Sequence, residues 1–119
     1  MGKMLFIVNP RAGKGRIRSH FLDIVDIFIK GGWEVEVHTT QEPMDAINTA
    51  RERGEKVDMV VCSGGDGTLS ETISGIVQLK KPPVLGYIPA GSTNDFASSL
   101  RIPSNMAMAA GNVVDGRPF

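Results

Sequence analysis

The chain is 119 residues long, enough for one domain with a real core but not for a substantial second lobe. Lys plus Arg and Asp plus Glu number 13 each, so the formal net charge is zero, which excludes a bulk field for nucleic acid or an anionic membrane. The single cysteine, Cys62, excludes an internal disulfide and a thiolate cluster for zinc; with no secretory leader, the expected home is a reducing cytoplasm.

Short β-type runs alternate with helical ones, the pattern of a parallel sheet covered by helices. Met4 to Val8 (MLFIV) is all apolar, as a strand buried on both faces requires, and it is far too short to cross a bilayer. Membrane contact is therefore expected to be peripheral. Asn9 to Arg16 (NPRAGKGR) reads as a turn. Ile17, Phe21, Ile24, Val25 and Phe28 recur at helical spacing, and Gly31-Gly32 stops that helix. Trp33, Val35 and Val37 alternate with Glu34, Glu36 and His38, predicting a half-exposed strand near an edge.

A second helix follows Pro43, with Ala46, Ile47 and Ala50 on one side and Gly54 after it. Met59 to Cys62 is the next buried strand, and Leu69, Ile73, Ile76 and Val77 mark a third helix directly after a glycine loop. Pro82-Pro83 ends that connection, and Val84 to Ile88 is a fourth strand. PAGSTNDFASSL turns into a short helix, and Ser104 caps a last one with the stripe Met106, Ala110, Val113 and Val114, closed by Asp115-Gly116. Pro118-Phe119 reads as the approach to another strand. The expected organisation is one domain over residues 1–116, with 117–119 beginning a further one.

Three loops fall at the carboxyl ends of predicted parallel strands: NPRAG (Asn9–Gly13), SGGDGT (Ser63–Thr68) and PAGSTND (Pro89–Asp95). In open α/β sheets that edge is where ligands bind. Gly64, Gly65 and Gly67 let backbone N–H groups approach an anion, and the helix that follows offers its unpaired N–H groups and positive dipole end. Asp66 is the odd member of this cradle, because a carboxylate beside phosphate is repulsive unless a metal ion, a proton or an acceptor hydroxyl intervenes. Thr68 with Glu71, and Ser92 with Asp95, also have capping-box spacing, so helix capping and ligand contact are both open for these residues. No G-x-x-x-x-G-K-[ST] occurs and no G-x-G-x-x-G opens a helix, which argues against a Walker-type loop and a dinucleotide oxidoreductase.

NPRAG, GGDGT (Gly64–Thr68) with Glu71, and PAGSTND together resemble the three motifs of the diacylglycerol kinase catalytic-domain family, which includes bacterial diacylglycerol kinases and sphingosine kinases. The resemblance runs over nearly the whole chain, in the family's order. NAD kinases share GGDGT and the general fold, but lack the N-P-x-x-G opening and the P-x-G-x-x-N-D loop. The resemblance implies an α/β/α three-layer, Rossmann-like domain with a mainly parallel sheet. It implies an ATP site in which Asn9, Pro10, Arg11, Ala12 and Gly13 lie along the nucleotide and Thr40 touches it from the side. Gly64, Gly65, Asp66, Gly67 and Thr68 would hold the phosphates, with Glu71 at the helix start and Ser92 and Asn94 completing the pocket.

Ser92 stands where the family usually has Thr, which keeps the hydroxyl; Ser70 stands where Asn is common. The implied reaction is transfer of the ATP γ-phosphoryl group to a lipid hydroxyl with Mg²⁺, Asp66 being the essential acid as metal partner or base. The family continues into a β-rich second domain that supplies further acids and the lipid pocket, so the chain alone is expected to be inactive. The implied partners are ATP or ADP and a lipid acceptor at the inner membrane surface, with a homo-oligomer compatible. An NAD kinase-type enzyme and a non-catalytic nucleotide-binding module are the alternatives.

The remaining conspicuous residues read as structural. Trp33 packs at an edge, Cys62 acts as a small hydrophobe, and His20 and His38 are solvated. Met44, Met59, Met106 and Met108 are packing residues, and Phe96 wedges its loop against the core. Lys14, Arg16 and Arg18 form a solvated helix start that could also attract phosphate.

Overall fold

The computed structural model describes residues 2–90 and 106–114. Four strands form one parallel sheet: β1 (Lys3–Val8), β2 (Glu34–Thr39), β3 (Met59–Gly64) and β4 (Val84–Pro89), in the order β2-β1-β3-β4. Parallel neighbours need crossover connections, and the helices supply them: α1 (Phe21–Lys30), α2 (Asp45–Arg53) and α3 (Asp66–Ile76), with α4 (Met106–Val114) after β4.

The alternation of β1 divides the core into two. Met4, Phe6 and Val8 face a cluster with Ile24 and Phe28 of α1 and Ala110 and Val113 of α4. Leu5 and Ile7 face the opposite cluster, with Ala46 and Ala50 of α2 and Leu69 and Ile76 of α3. The sheet is therefore sandwiched between two helical layers, as the sequence predicts. Phe6 anchors the first layer, edge-on to Phe28 at 5.3 Å and stacked on Phe21 at 6.0 Å; each such pair adds about 0.5–1.5 kcal/mol beyond area burial. β2 lies at the sheet edge, as its alternation predicts, and its Glu34 and Glu36 are exposed.

Local structure departs from expectation in three places. The first helix starts at Phe21, not Ile17, because Gly13, Lys14 and Gly15 take consecutive left-handed φ values of 56, 62 and 76° inside a 3-10 segment spanning Ala12–Ser19. That run reverses the chain and cannot propagate a right-handed helix. On α3, Val77 is 68% exposed at the C-cap, while Thr72 and Gly75 occupy the inner face. Gly75 is required there, since an added Cβ would lie 2.5 Å from the Ile47 carbonyl oxygen of α2. Met44 and Met108 are 54% and 62% exposed, whereas Met59 joins the core as expected; the Met106 side chain lies outside the described residues. Cys62 is fully buried, and Trp33 packs half-buried against the α1 cluster. No helix of the described residues is long and apolar enough to cross a membrane.

Candidate functional site

The sheet order makes β1 the switch point. Its connection through α1 leads to β2 on one side, while β3 pairs on the other, so the loops diverge above the β1 carboxyl end. Sheet-type bonds continue past the strand ends: Thr40 N donates to Val8 O at 2.8 Å, Asn9 N to Ser63 O at 2.9 Å, and Ala90 N to Gly64 O at 2.9 Å. These bonds place Asn9, Thr40 and the Gly64-Gly65 turn along one edge.

Asn9 fastens two of the loops. Its Oδ1 accepts the Arg11 N–H at 3.0 Å, an Asx turn that shapes NPRAG, and its Nδ2 reaches the Thr68 hydroxyl at 3.5 Å. Arg11 extends sideways, its Nη2 donating to Thr40 O at 2.8 Å. A cleft of about 370 Å³ results, lined by Asn9, Arg11, Thr40, Thr68 and Glu71 together with Gln41, Glu42, Pro43 and Ala46. Five predicted site residues thus meet in one hollow. Pro10 faces a separate apolar hollow of about 240 Å³ with Val8, Ile17 and Phe21, and Ala12 and Gly13 belong to the 3-10 segment that carries the chain away.

The glycine loop is built from below. Gly64 ends β3 buried, and an added Cβ would sit 2.4 Å from Thr68 Oγ1, so a larger residue would force the start of α3 to shift. The Tyr87 hydroxyl donates to Gly64 O at 2.9 Å from β4. Burial above all, with smaller electrostatic contributions from Cys62 and Asp66, pushes the Tyr87 phenol well above its ordinary value, so it stays a neutral donor. Gly65 is the α3 N-cap and supplies no side-chain cap, so among the described residues the first N–H groups of the helix have none. The predicted Thr68–Glu71 capping box is not formed, because α3 begins at Asp66 and places both residues inside the helix. Gly67 is exposed and has negative φ, and an added Cβ would meet nothing within 4 Å. Neither backbone strain nor crowding within the described residues calls for glycine there.

Asp66 is half-buried at the first position of α3 and opens on the other flank of that helix, a hollow of about 300 Å³ with Leu69, Ser70, Ile73 and Ser74. It does not share the Asn9–Glu71 cleft. Its Oδ1 is buried with no hydrogen-bond partner among the described residues. Such an acceptor suits a cation or an acceptor proton. Among the described residues no group of three or more His, Cys, Asp or Glu could hold a metal ion. Ser92 and Asn94 lie outside the described residues, as do Ser104, Phe96, the Asp115-Gly116 helix end and residues 117–119.

Sequence reasoning missed the wall formed by Gln41, Glu42 and Pro43, whose only signal is their position just past β2. It missed Tyr87, which the apolar pattern of its strand absorbed. His38 is not solvated as expected; it is half-buried, with Nε2 3.0 Å from Asp45 Oδ2 and Nδ1 3.5 Å from Arg53 Nη1. His20 is exposed at the α1 N-cap.

The sequence pattern of the diacylglycerol kinase catalytic domain matches residues 3–118. A diacylglycerol kinase of Bacillus subtilis (strain 168) is 36% identical over 118 residues, covering 98% of this chain and 39% of its own length. One from Staphylococcus carnosus (strain TM300) is 34% identical over 111 residues, covering 92% and 36%. The crystal structure of a diacylglycerol kinase from Bacillus anthracis (strain Sterne) superposes with a TM-score of 0.87 at 36% identity, covering 96% of this chain and 40% of that one. The chain thus spans about two fifths of the length of these relatives.

Proposed function

The chain belongs to the diacylglycerol kinase catalytic-domain family, and from that premise we propose that it is the ATP-binding part of a lipid kinase. The reaction would pass the γ-phosphoryl group of ATP to a hydroxyl of diacylglycerol or a related lipid. The observation that carries this reading is the uncapped N-terminus of α3 behind Gly65-Asp66-Gly67, beside the cleft of Asn9, Arg11, Thr40, Thr68 and Glu71. Helix N–H groups without a cap bind anions, and the open space at Gly67 suits a phosphate approaching the backbone.

In this reading Asn9 and Arg11 hold the nucleotide across the β1 end, Thr40 touches it from the β2 side, and Ser92 and Asn94 close it from the β4 side. Gly64 and Tyr87 fix the turn beneath the phosphates. Attack of the lipid oxygen forms a new P–O bond as the bond to ADP breaks, and the hydroxyl proton leaves to a base. Asp66, with an unpartnered buried oxygen, would take that proton or hold Mg²⁺ with the phosphate oxygens. Bound Mg²⁺ would supply charge neutralisation on the phosphates. Residues 1–116 would form the nucleotide half, and a β-rich lobe beginning near residues 117–119 would hold the acceptor against it. Positioning of that kind supplies about 7–11 kcal/mol of a barrier, so residues 1–119 alone would bind nucleotide without phosphorylating lipid. The enzyme would work in the cytoplasm, touching the inner membrane surface peripherally.

Calorimetric titration with ADP and ATP, followed by radiolabelled ATP with mixed lipid micelles, tests the reading. ADP binding that perturbs Gly65 and Thr68 is expected, with label entering lipid only when the complete catalytic region is present. Label entering NAD but not lipid, or nucleotide perturbations confined to the opposite sheet edge, would overturn it.

A further inference from the structure

We infer that Asp45 is a positioning residue for the nucleotide cleft: its carboxylate pins the segment between β2 and α2, so that Thr40, Gln41 and Glu42 form a fixed wall. The inference rests on the nucleotide reading of that cleft and concerns side chains outside the three loop motifs.

The wall needs pinning because of where it starts. Among the described residues β2 is an edge strand, paired with β1 alone, and the last sheet-type bond on this side is Thr40 N to Val8 O. Beyond it the chain turns back through Met44, whose φ of 73° is left-handed. That conformation costs an unbranched L-residue about 1–2 kcal/mol and persists only where the surroundings impose it. Asp45 imposes it. Its Oδ2 accepts the Gln41 N–H at 2.7 Å and faces His38 Nε2 at 3.0 Å, its Oδ1 accepts the Thr49 hydroxyl at 3.2 Å, and its own N–H donates to Glu42 O at 3.2 Å.

The direction of these bonds separates positioning from helix capping. An N-cap carboxylate accepts N–H groups downstream, in the helix it begins. Asp45 accepts one upstream, at the entrance of the wall, and so closes the segment on itself. A line of charged groups extends behind it: His38 meets Arg53 of α2, and Arg53 pairs with Glu36 of β2. The neighbouring strand adds no charge here, presenting Ile7 beside His38. On the cleft side the Arg11 guanidinium is seated on Thr40 O. A wall that drifts takes that seat with it, and the cleft loses its cation.

ADP titration of the purified protein, with amide exchange at Gln41, tests the inference on Asp45→Ala, Asp45→Asn and Thr49→Ala. Loss of a charge-assisted anchor predicts that Asp45→Ala weakens ADP binding about tenfold and accelerates Gln41 exchange. Asp45→Asn, which keeps an acceptor oxygen, recovers part of both. Thr49→Ala removes only the α2 partner of Asp45, so it lowers stability and leaves ADP affinity unchanged. A folded Asp45→Ala with unaltered ADP affinity overturns the inference, as does equal weakening by Thr49→Ala. Should Asp45→Ala not fold, unchanged ADP affinity in Asp45→Asn overturns it. Wild-type protein that does not bind ADP overturns the nucleotide reading and this inference with it, a failure distinct from binding that ignores Asp45.

Discussion

Tyr87 and Gly64 belong to adjacent strands, and the Tyr87 hydroxyl donates to the Gly64 carbonyl oxygen at 2.9 Å beneath the glycine turn. The same oxygen accepts Ala90 N, so it remains partnered when the phenol is removed. Tyr87→Phe is therefore expected to cost about 1 kcal/mol of stability, the value of one net hydrogen bond. Urea unfolding measures it, and a variant as stable as wild type would show that the bond contributes nothing.

Gly64 and Gly67 should respond oppositely to alanine. At Gly64 the new Cβ falls 2.4 Å from Thr68 Oγ1 and 2.6 Å from Thr68 Cβ, so α3 must shift at its start. Overpacking of this kind costs about 1–3 kcal/mol. At Gly67 the new methyl meets nothing within 4 Å, and the helical position gains up to about 1 kcal/mol in propensity. Gly67→Ala should thus stabilise the free protein while weakening ADP binding. An unchanged ADP affinity in that variant would mean that no phosphate approaches Gly67.

Asp66→Asn keeps the shape of the side chain and removes its charge. In the complete enzyme turnover should fall by at least about a hundredfold, the scale of a lost acid–base or charge-stabilising group, with the melting temperature little changed. Unaltered turnover at saturating ATP would assign Asp66 to structure alone.

Burial pushes the Cys62 thiol up to about 12, outweighing the Thr72 hydroxyl and backbone interactions that lower it. The thiolate is the reactive form, so Cys62 should resist a soluble disulfide reagent at about pH 8 until the domain unfolds. Rapid labelling of folded protein would contradict its burial.

Partial burial raises the Asp45 carboxyl, but the Gln41 N–H, His38 and the Thr49 hydroxyl together hold it below its ordinary 3.8. A depressed folded value means stability that is present above 3.8 and lost as pH falls through the lower folded value. The stability of the wild type should therefore drop further than that of Asp45→Asn between about pH 6 and about pH 3. Parallel acid limbs in urea unfolding would remove Asp45 from the acid response.

The sheet was legible because burial on both faces writes itself as continuous apolar runs, as in Met4–Val8, and an edge strand as alternation, as in Trp33–His38. The loops were legible because glycine and asparagine mark strand ends. What escaped the sequence was set by tertiary contacts. Gly13 and Gly15 take left-handed φ readily, but nothing in the sequence announces that Lys14 joins them, and the run delayed α1 to Phe21. Thr68 and Glu71 had the spacing of a capping box but not the helix start that a box requires. His38 appeared solvated because nothing in the sequence says that Asp45 and Arg53 of α2 fold onto its strand.

The position of β1 between β2 and β3 bears on how the domain comes together in time. β1 is made before either partner, and no strand in the sheet pairs with one reached by a tight turn. Each pairing must wait for a helix-length excursion to close, which makes parallel sheets slow to assemble. Until then five consecutive apolar residues, Met4–Val8, lack the cover that later buries them almost completely. Until its partners arrive this segment is open to association with other chains, and a chaperone that binds short apolar stretches has a site there.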